Sequence, residues 1–188
     1  MASTFGKTWW GNAWLQALTD IDFSNRIPRG ARYARNGAVG SINIEGNKIE
    51  ARVNGTCPTP YKIHLEVKPF TAEETNRLVE GIMGNPIVVS QLLNMKLSPM
   101  VMDIAQQAHL RVFPSSWKDL RMQCSCPDWA VPCKHIAAVI YMISVEIDNN
   151  PLLVFQLHGV DLVKELKQRG LGIDVQQNVA IAPWKELL

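Results

Sequence analysis

Apolar positions recur along the chain with two different periods, and the switches between them mark its elements. Trp10, Trp14, Ala17 and Leu18 fall at i, i+4, i+7 and i+8, which predicts a short amphipathic helix over residues 9–18. The period then shortens to two. Val39, Ile42 and Ile44 precede the turn residues Gly46-Asn47, and Ile49, Ala51 and Val53 alternate after them, which predicts a hairpin. Asn54-Gly55, Pro58 and Pro60 punctuate the next stretch, and YKIHLEV alternates again as a third strand. His64 is an ordinary residue of that strand. The expected unit is a three-strand antiparallel meander.

Helical spacing returns over residues 71–111. Thr71 and Glu74 form a capping box ahead of Leu78, Ile82 and Met83. Pro86 opens the apolar segment IVVSQLLNM, and Ser98 and Pro99 read as N-cap and N1 of a helix over MVMDIAQQAHL. His109, near the end of that helix, suits the negative end of its dipole. Further on, Ile136, Val139, Ile140, Ile143 and Ile147 lie at helical spacing. Pro151 ends that helix, LLVFQL reads as a short apolar connection, and Asp161 caps a helix ending at Arg169-Gly170. Trp184 lies in a weakly defined final segment.

The resulting class is α+β. Two regions are expected: residues 1–111, with the Trp-rich helix, an Arg-rich loop, the meander and helices, and residues 112–188, with the cysteine cluster and a helical end. The 188 residues are 47% hydrophobic and 19% charged, enough to bury a core and far from a disordered composition. The longest largely apolar run, Ile136 to Val145, is well short of the roughly 18–20 residues that span a bilayer. No apolar stretch follows Lys7 as a secretory signal would require, so the expectation is a soluble, cytoplasmic protein without a membrane partner.

A net charge of +2 excludes a wholly basic, histone-like binder, but the charge is uneven. Residues 1–70 carry nine Lys and Arg against five Asp and Glu. The sharpest feature is RIPRGARYAR, with Arg26, Arg29, Arg32 and Arg35 at a strict period of three. Pro28 and Gly30 argue against a regular helix there. In a polyproline-like extended loop the four guanidinium groups would share one edge. Such a loop is either simply solvated or tracks phosphates or an acidic partner, with Tyr33 available to stack.

Cysteine use changes the picture most. Cys124, Cys126 and Cys133 fall within ten residues while Cys57 stands alone, without a ligand partner nearby in sequence. Clustering of this kind in a chain without secretory features points to metal rather than to a disulfide framework. The pattern is C-x-C, six residues, then C-x-H, ending at His135. Two residues apart on a strand, Cys124 and Cys126 face the same side, and Pro127-Asp128 and Pro132 turn the chain back. Because the helix begins near His135, Cys133 must lie at or before its N-cap, where the helix dipole and Lys134 favour a thiolate. Three thiolates and an imidazole about one zinc give a net charge of −1, which Lys134 can offset. Four protein ligands close the coordination shell, which marks a structural rather than a catalytic ion. Buried structural thiols, an iron–sulfur site and a Cys–His nucleophile pair are the competing readings.

CSCPDWAVPCKH closely resembles the SWIM zinc finger, whose signature is C-x-C, a variable spacer, then C-x-H. The W-W-x-x-x-W opening, the RGARYAR segment and the Pro60-Tyr61 start of the third strand are similar to bacterial and archaeal SWIM zinc finger proteins. The resemblance implies a small finger built as a β-hairpin followed by a helix, with Cys124, Cys126, Cys133 and His135 binding one zinc. It also implies the company of Swi/Snf-type helicases and a role in binding DNA or protein. The chain has no P-loop, no H-E-x-x-H and no G-x-S-x-G, so catalysis is not expected. The expected function is a non-catalytic module that binds nucleic acid, DNA more than RNA, through Arg26, Arg29, Arg32, Arg35, Tyr33 and Lys134. The alternative is a protein adaptor of a Swi/Snf-type ATPase.

Overall fold

The computed structural model describes residues 5–16 and 26–171. Helix α1 (Trp9–Leu15) starts where the Thr8 side chain accepts from the N–H of Gly11. Its expected continuation through Ala17 and Leu18 lies outside the described residues, as does the segment around Trp184.

The strands follow the alternation in the sequence. β1 (Val39–Glu45), β2 (Lys48–Val53) and β3 (Tyr61–Val67) pair antiparallel, with Gly46-Asn47 turning the first hairpin. A fourth strand, β4 (Leu120–Cys124), joins the free edge of β3, and the sheet order is β1-β2-β3-β4. The sheet is thus one strand larger than the expected meander, and the added strand comes from the cysteine segment. Period-two alternation splits it into a buried face, with Ile49, Ile63 and Leu65, and an open face, with Arg52, Lys62 and Gln123.

Three helices separate β3 from β4. α3 (Ala72–Met83) has its full capping box: Glu74 accepts from the Thr71 N–H at 2.7 Å and Thr71 from the Glu74 N–H at 3.2 Å. α4 (Pro86–Leu93) has Pro86 in its first turn behind an Asn85 cap. α5 (Met100–Gln107) begins one residue later than expected, with Pro99 as N-cap residue and Ser98 Oγ accepting from Met100 N–H at 3.4 Å. After β4 come α6 (Lys134–Asn149), α7 (Leu153–Gln156) and α8 (Leu162–Gln168), the last capped by Asp161. The LLVFQL segment therefore forms a helical turn rather than a plain connection. Leu153, Val154 and Phe155 are all buried, and buried amides need partners, which a helical turn supplies locally.

α6 is the centre of the molecule. It lies between the sheet on one side and α1 and α2 (Arg26–Arg35) on the other, and its apolar residues are buried almost all round. One contiguous core runs from Trp14 through the buried sheet face and α6 to Leu166. Asp148 on α6 ties down the N-terminal segment, accepting from the amides of Lys7 at 2.8 Å and Thr8 at 2.9 Å.

The expected extended loop at 26–35 is instead a helix, α2 (Arg26–Arg35), and its packing supplies the physical reason. Gly30 sits where α2 crosses α6: a Cβ there would lie 2.5 Å from the Ala137 Cβ, so only glycine permits this approach. Ile27, Ala31 and Ala34 complete the buried side. The crossing makes a prediction. Gly30→Ala gains about 0.5–1 kcal/mol of helix propensity. It loses about 1–3 kcal/mol to overpacking. Denaturant unfolding should show net destabilisation, and a stabilised variant would mean that the helices do not pack this closely.

Candidate metal centre

The register of the sheet aims the first ligand. Ile42, Ala51, Ile63 and Cys124 form one cross-strand row, and its three other members are buried, so Cys124 points under the sheet toward the start of α6. Ser125 extends the pairing by one residue: its N–H donates to Lys62 O at 3.0 Å and its hydroxyl accepts from Lys62 N–H at 2.9 Å. The chain then leaves the sheet, so Cys126 lies in the turn beyond β4 rather than on the strand. There its own N–H meets the Cys124 sulfur at 3.5 Å. A short loop returns the chain to Cys133, which is the N-cap residue of α6, and His135 falls in the first helical turn.

The four side chains converge. One donor atom from each of Cys124, Cys126, Cys133 and His135 lies within 4.8 Å of all the others. His135 Nδ1 is 3.9 Å from the Cys124 sulfur and 3.8 Å from that of Cys133. A tetrahedral zinc with bonds of ~2.3 Å to sulfur and ~2.0–2.1 Å to nitrogen sets such donors about 3.6 Å apart. Both distances from the imidazole match that geometry to within a few tenths of an ångström, and the donor set suits a single zinc ion. Three sulfurs and one imidazole complete a tetrahedron and leave no position for water, so the ion is structural.

Hydrogen bonding with Cys124 first, then with His135 and the Ile136 N–H, holds Cys133 down to about 4 despite its burial. Cys124 is pushed up, chiefly because it shares its proton with Cys133, and burial pushes Cys126 up. The Cys133 sulfur sits at the N-terminal end of α6, where the helix dipole favours a thiolate.

Neighbours hold the imidazole in place. The Tyr61 ring lies 4.5 Å from the His135 ring at 37°, and Tyr33 approaches it edge-on at 5.4 Å. Gly55 makes room for this contact, since a Cβ there would lie 2.4 Å from the Tyr61 ring and 3.3 Å from His135 Nε2. The Tyr61 hydroxyl donates to the sulfur of Cys57 at 3.2 Å. Cys57 itself is exposed and stands outside the cluster. Sequence reasoning missed Tyr61 and Gly55 as neighbours of the metal, because the first residue of β3 and the loop before it have no spacing relation to the ligands.

The structure also places the basic residues. Arg29, Arg32 and Arg35 are exposed along the outer side of α2, and Arg26 is half-buried at its start. On a helix a period of three turns by about −60° per step, so the four wrap slowly around the solvent side. Lys134 reaches Tyr33, its Nζ 5.3 Å from the ring centroid. Trp129 stands at the outside of the loop between the two ligand pairs, 87% exposed, with the Arg26 guanidinium 5.6 Å from its ring. The sequence did contain a signal for Trp129: an aromatic residue between Pro127 and Pro132 has no periodic apolar neighbours to pack with.

Comparison with known proteins agrees with this geometry. The chain is 31% identical over 153 residues to the uncharacterized protein Rv2102 of Mycobacterium tuberculosis, covering 81% of this chain and 55% of the relative. The chain therefore spans about half the length of the curated relative it matches. No solved structure matches it. No helix among the described residues is long and apolar enough to cross a membrane. The SWIM zinc finger family matches residues 117–144, which contain all four converging ligands, so the chain carries a SWIM-type zinc finger with a Cys3His zinc-binding cluster.

Proposed function

We infer that the zinc-held module binds nucleic acid within a DNA-transacting or helicase-associated complex. The observation that carries this reading is the position of α2. It carries four arginines and no acidic residue, and its opposite face packs against the helix that opens with Cys133 and His135. None of Arg29, Arg32 and Arg35 forms an ion pair among the described residues, so these charges are available to phosphates. Zinc supplies no chemistry to a substrate here. It fixes the start of α6, and α6 carries α2.

Binding through four phosphate contacts gives a log–log salt slope of roughly −3.6 on duplex DNA. Neutralising Arg29, Arg32 and Arg35 together as glutamines is expected to reduce that slope by roughly 2.7. All three are exposed, so the melting temperature should stay within a degree or two of the wild type's. Fluorescence anisotropy at two salt concentrations checks the first expectation and a thermal melt the second. Absence of binding at low salt would sink the reading.

A protein-adaptor role is supported by a different surface. Ile87, Leu93, Met95, Met100 and Met102 on and between α4 and α5 are large apolar side chains exposed to solvent. Apolar surface of this kind marks protein contacts more than phosphate contacts.

A further inference from the structure

We propose that Trp129 is a base-stacking residue and that it makes the module select single-stranded over duplex nucleic acid. This inference rests on the nucleic-acid reading above and deepens it.

Trp129 contributes little to the fold. At 87% exposed it buries almost none of its ring, whereas Trp14 is buried and Trp9, Trp10 and Trp117 are partly buried. Trp9, Trp10 and Trp14 also donate their indole N–H groups to the carbonyls of Leu97, Ile147 and Ile140. Those side chains are structural by packing and by hydrogen bond. An indole held in water, next to a guanidinium, is in the arrangement that stacks on a flat partner.

The loop holding Trp129 is restrained at both ends. Cys126 precedes it and Cys133 follows it, both in the zinc cluster, and Asp128 Oδ1 accepts from the Ala130 N–H at 3.1 Å inside it. A ring presented on a restrained loop loses little freedom on binding, so most of its contact energy appears as affinity. Arg26 connects this ring to the arginine series. From Arg26 to Arg35 the helix rises about 13.5 Å, so the cations form a track that ends at an exposed aromatic face.

That combination discriminates between strands. A duplex offers its phosphates to the arginines but keeps its base faces stacked inside. A single strand offers both, phosphates along α2 and an unstacked base against Trp129. DNA and RNA share this chemistry, and separate probes distinguish them.

The test uses the zinc-loaded full chain with labelled oligo-dT, oligo-rU and a mixed-sequence duplex of the same length. Trp129→Ala, Trp129→Phe and the wild type are compared by anisotropy, with zinc content and thermal melts on each. The wild type should bind at least one single strand more tightly than the duplex. Trp129→Ala should lose roughly 5- to 100-fold on that strand, with little change on the duplex, and Trp129→Phe should recover much of the loss. Quenching of wild-type tryptophan fluorescence on binding, reduced in Trp129→Ala, would support stacking directly. Equal losses on single strand and duplex, or no loss at all, would overturn the role of Trp129 and leave the arginine reading standing. Absence of wild-type binding to every probe would overturn both.

Discussion

Replacing Cys133 by serine is expected to abolish stoichiometric zinc binding and to unfold the centre of the molecule. The side chain is fully buried and serves as both ligand and N-cap residue of α6. Structural zinc sites in small domains contribute about 10–16 kcal/mol of apparent folding free energy. That is comparable with the whole stability of an ordinary domain, about 5–15 kcal/mol. Loss of one of four ligands therefore removes stability the fold cannot spare. His135→Ala should behave alike, and a chelator should have the same effect on the wild type. Metal analysis and circular dichroism check the expectation. Full zinc occupancy with an unchanged melt in Cys133→Ser would reject this ligand set.

The second large effect is expected at Trp14. It is 2% exposed, reaches from α1 onto α6, and donates to Ile140 O at 3.1 Å. Truncation of such a residue to alanine costs about 3–5 kcal/mol. For a chain of this length that corresponds to a fall in melting temperature of roughly 6–20 °C. Trp14→Phe, which keeps most of the apolar volume and loses the N–H, should cost much less. A shift of only a degree or two in Trp14→Ala would mean that α1 is not anchored to α6. Zinc content should be unchanged in either variant, which separates this failure from loss of the metal.

The metal ligands were readable in sequence because their spacing is a local property. C-x-C and C-x-H fix what each pair can reach, and the isoleucine period places the helix start. The first three strands were equally readable, because alternation and the Gly46-Asn47 turn act over a few residues. What the sequence hid was long-range. The pairing of β4 with β3 joins Val67 to Leu120 across three helices, and nothing in either strand encodes that register. The helix over Arg26–Arg35 was hidden for a related reason. Pro28 and Gly30 argue against a helix on their own, and the surface of α6, which Gly30 meets closely, is what offsets them. The placement of Trp129 beside Arg26 was hidden with that helix, since an extended loop would not bring a basic helix to the finger.

The central position of α6 sets a limit on portability. Many zinc modules can be cut from one chain and grafted into another, because each metal encloses its own small interior. Here the helix that opens at the zinc is covered on one side by α1 and α2 and on the other by the sheet. Residues 117–144, excised, would carry Ala137, Ile140 and Ile143 into water with nothing to cover them. The finger is thus a keystone of its host rather than a detachable bead, and insertions tolerated in a tethered finger would here displace the surrounding helices.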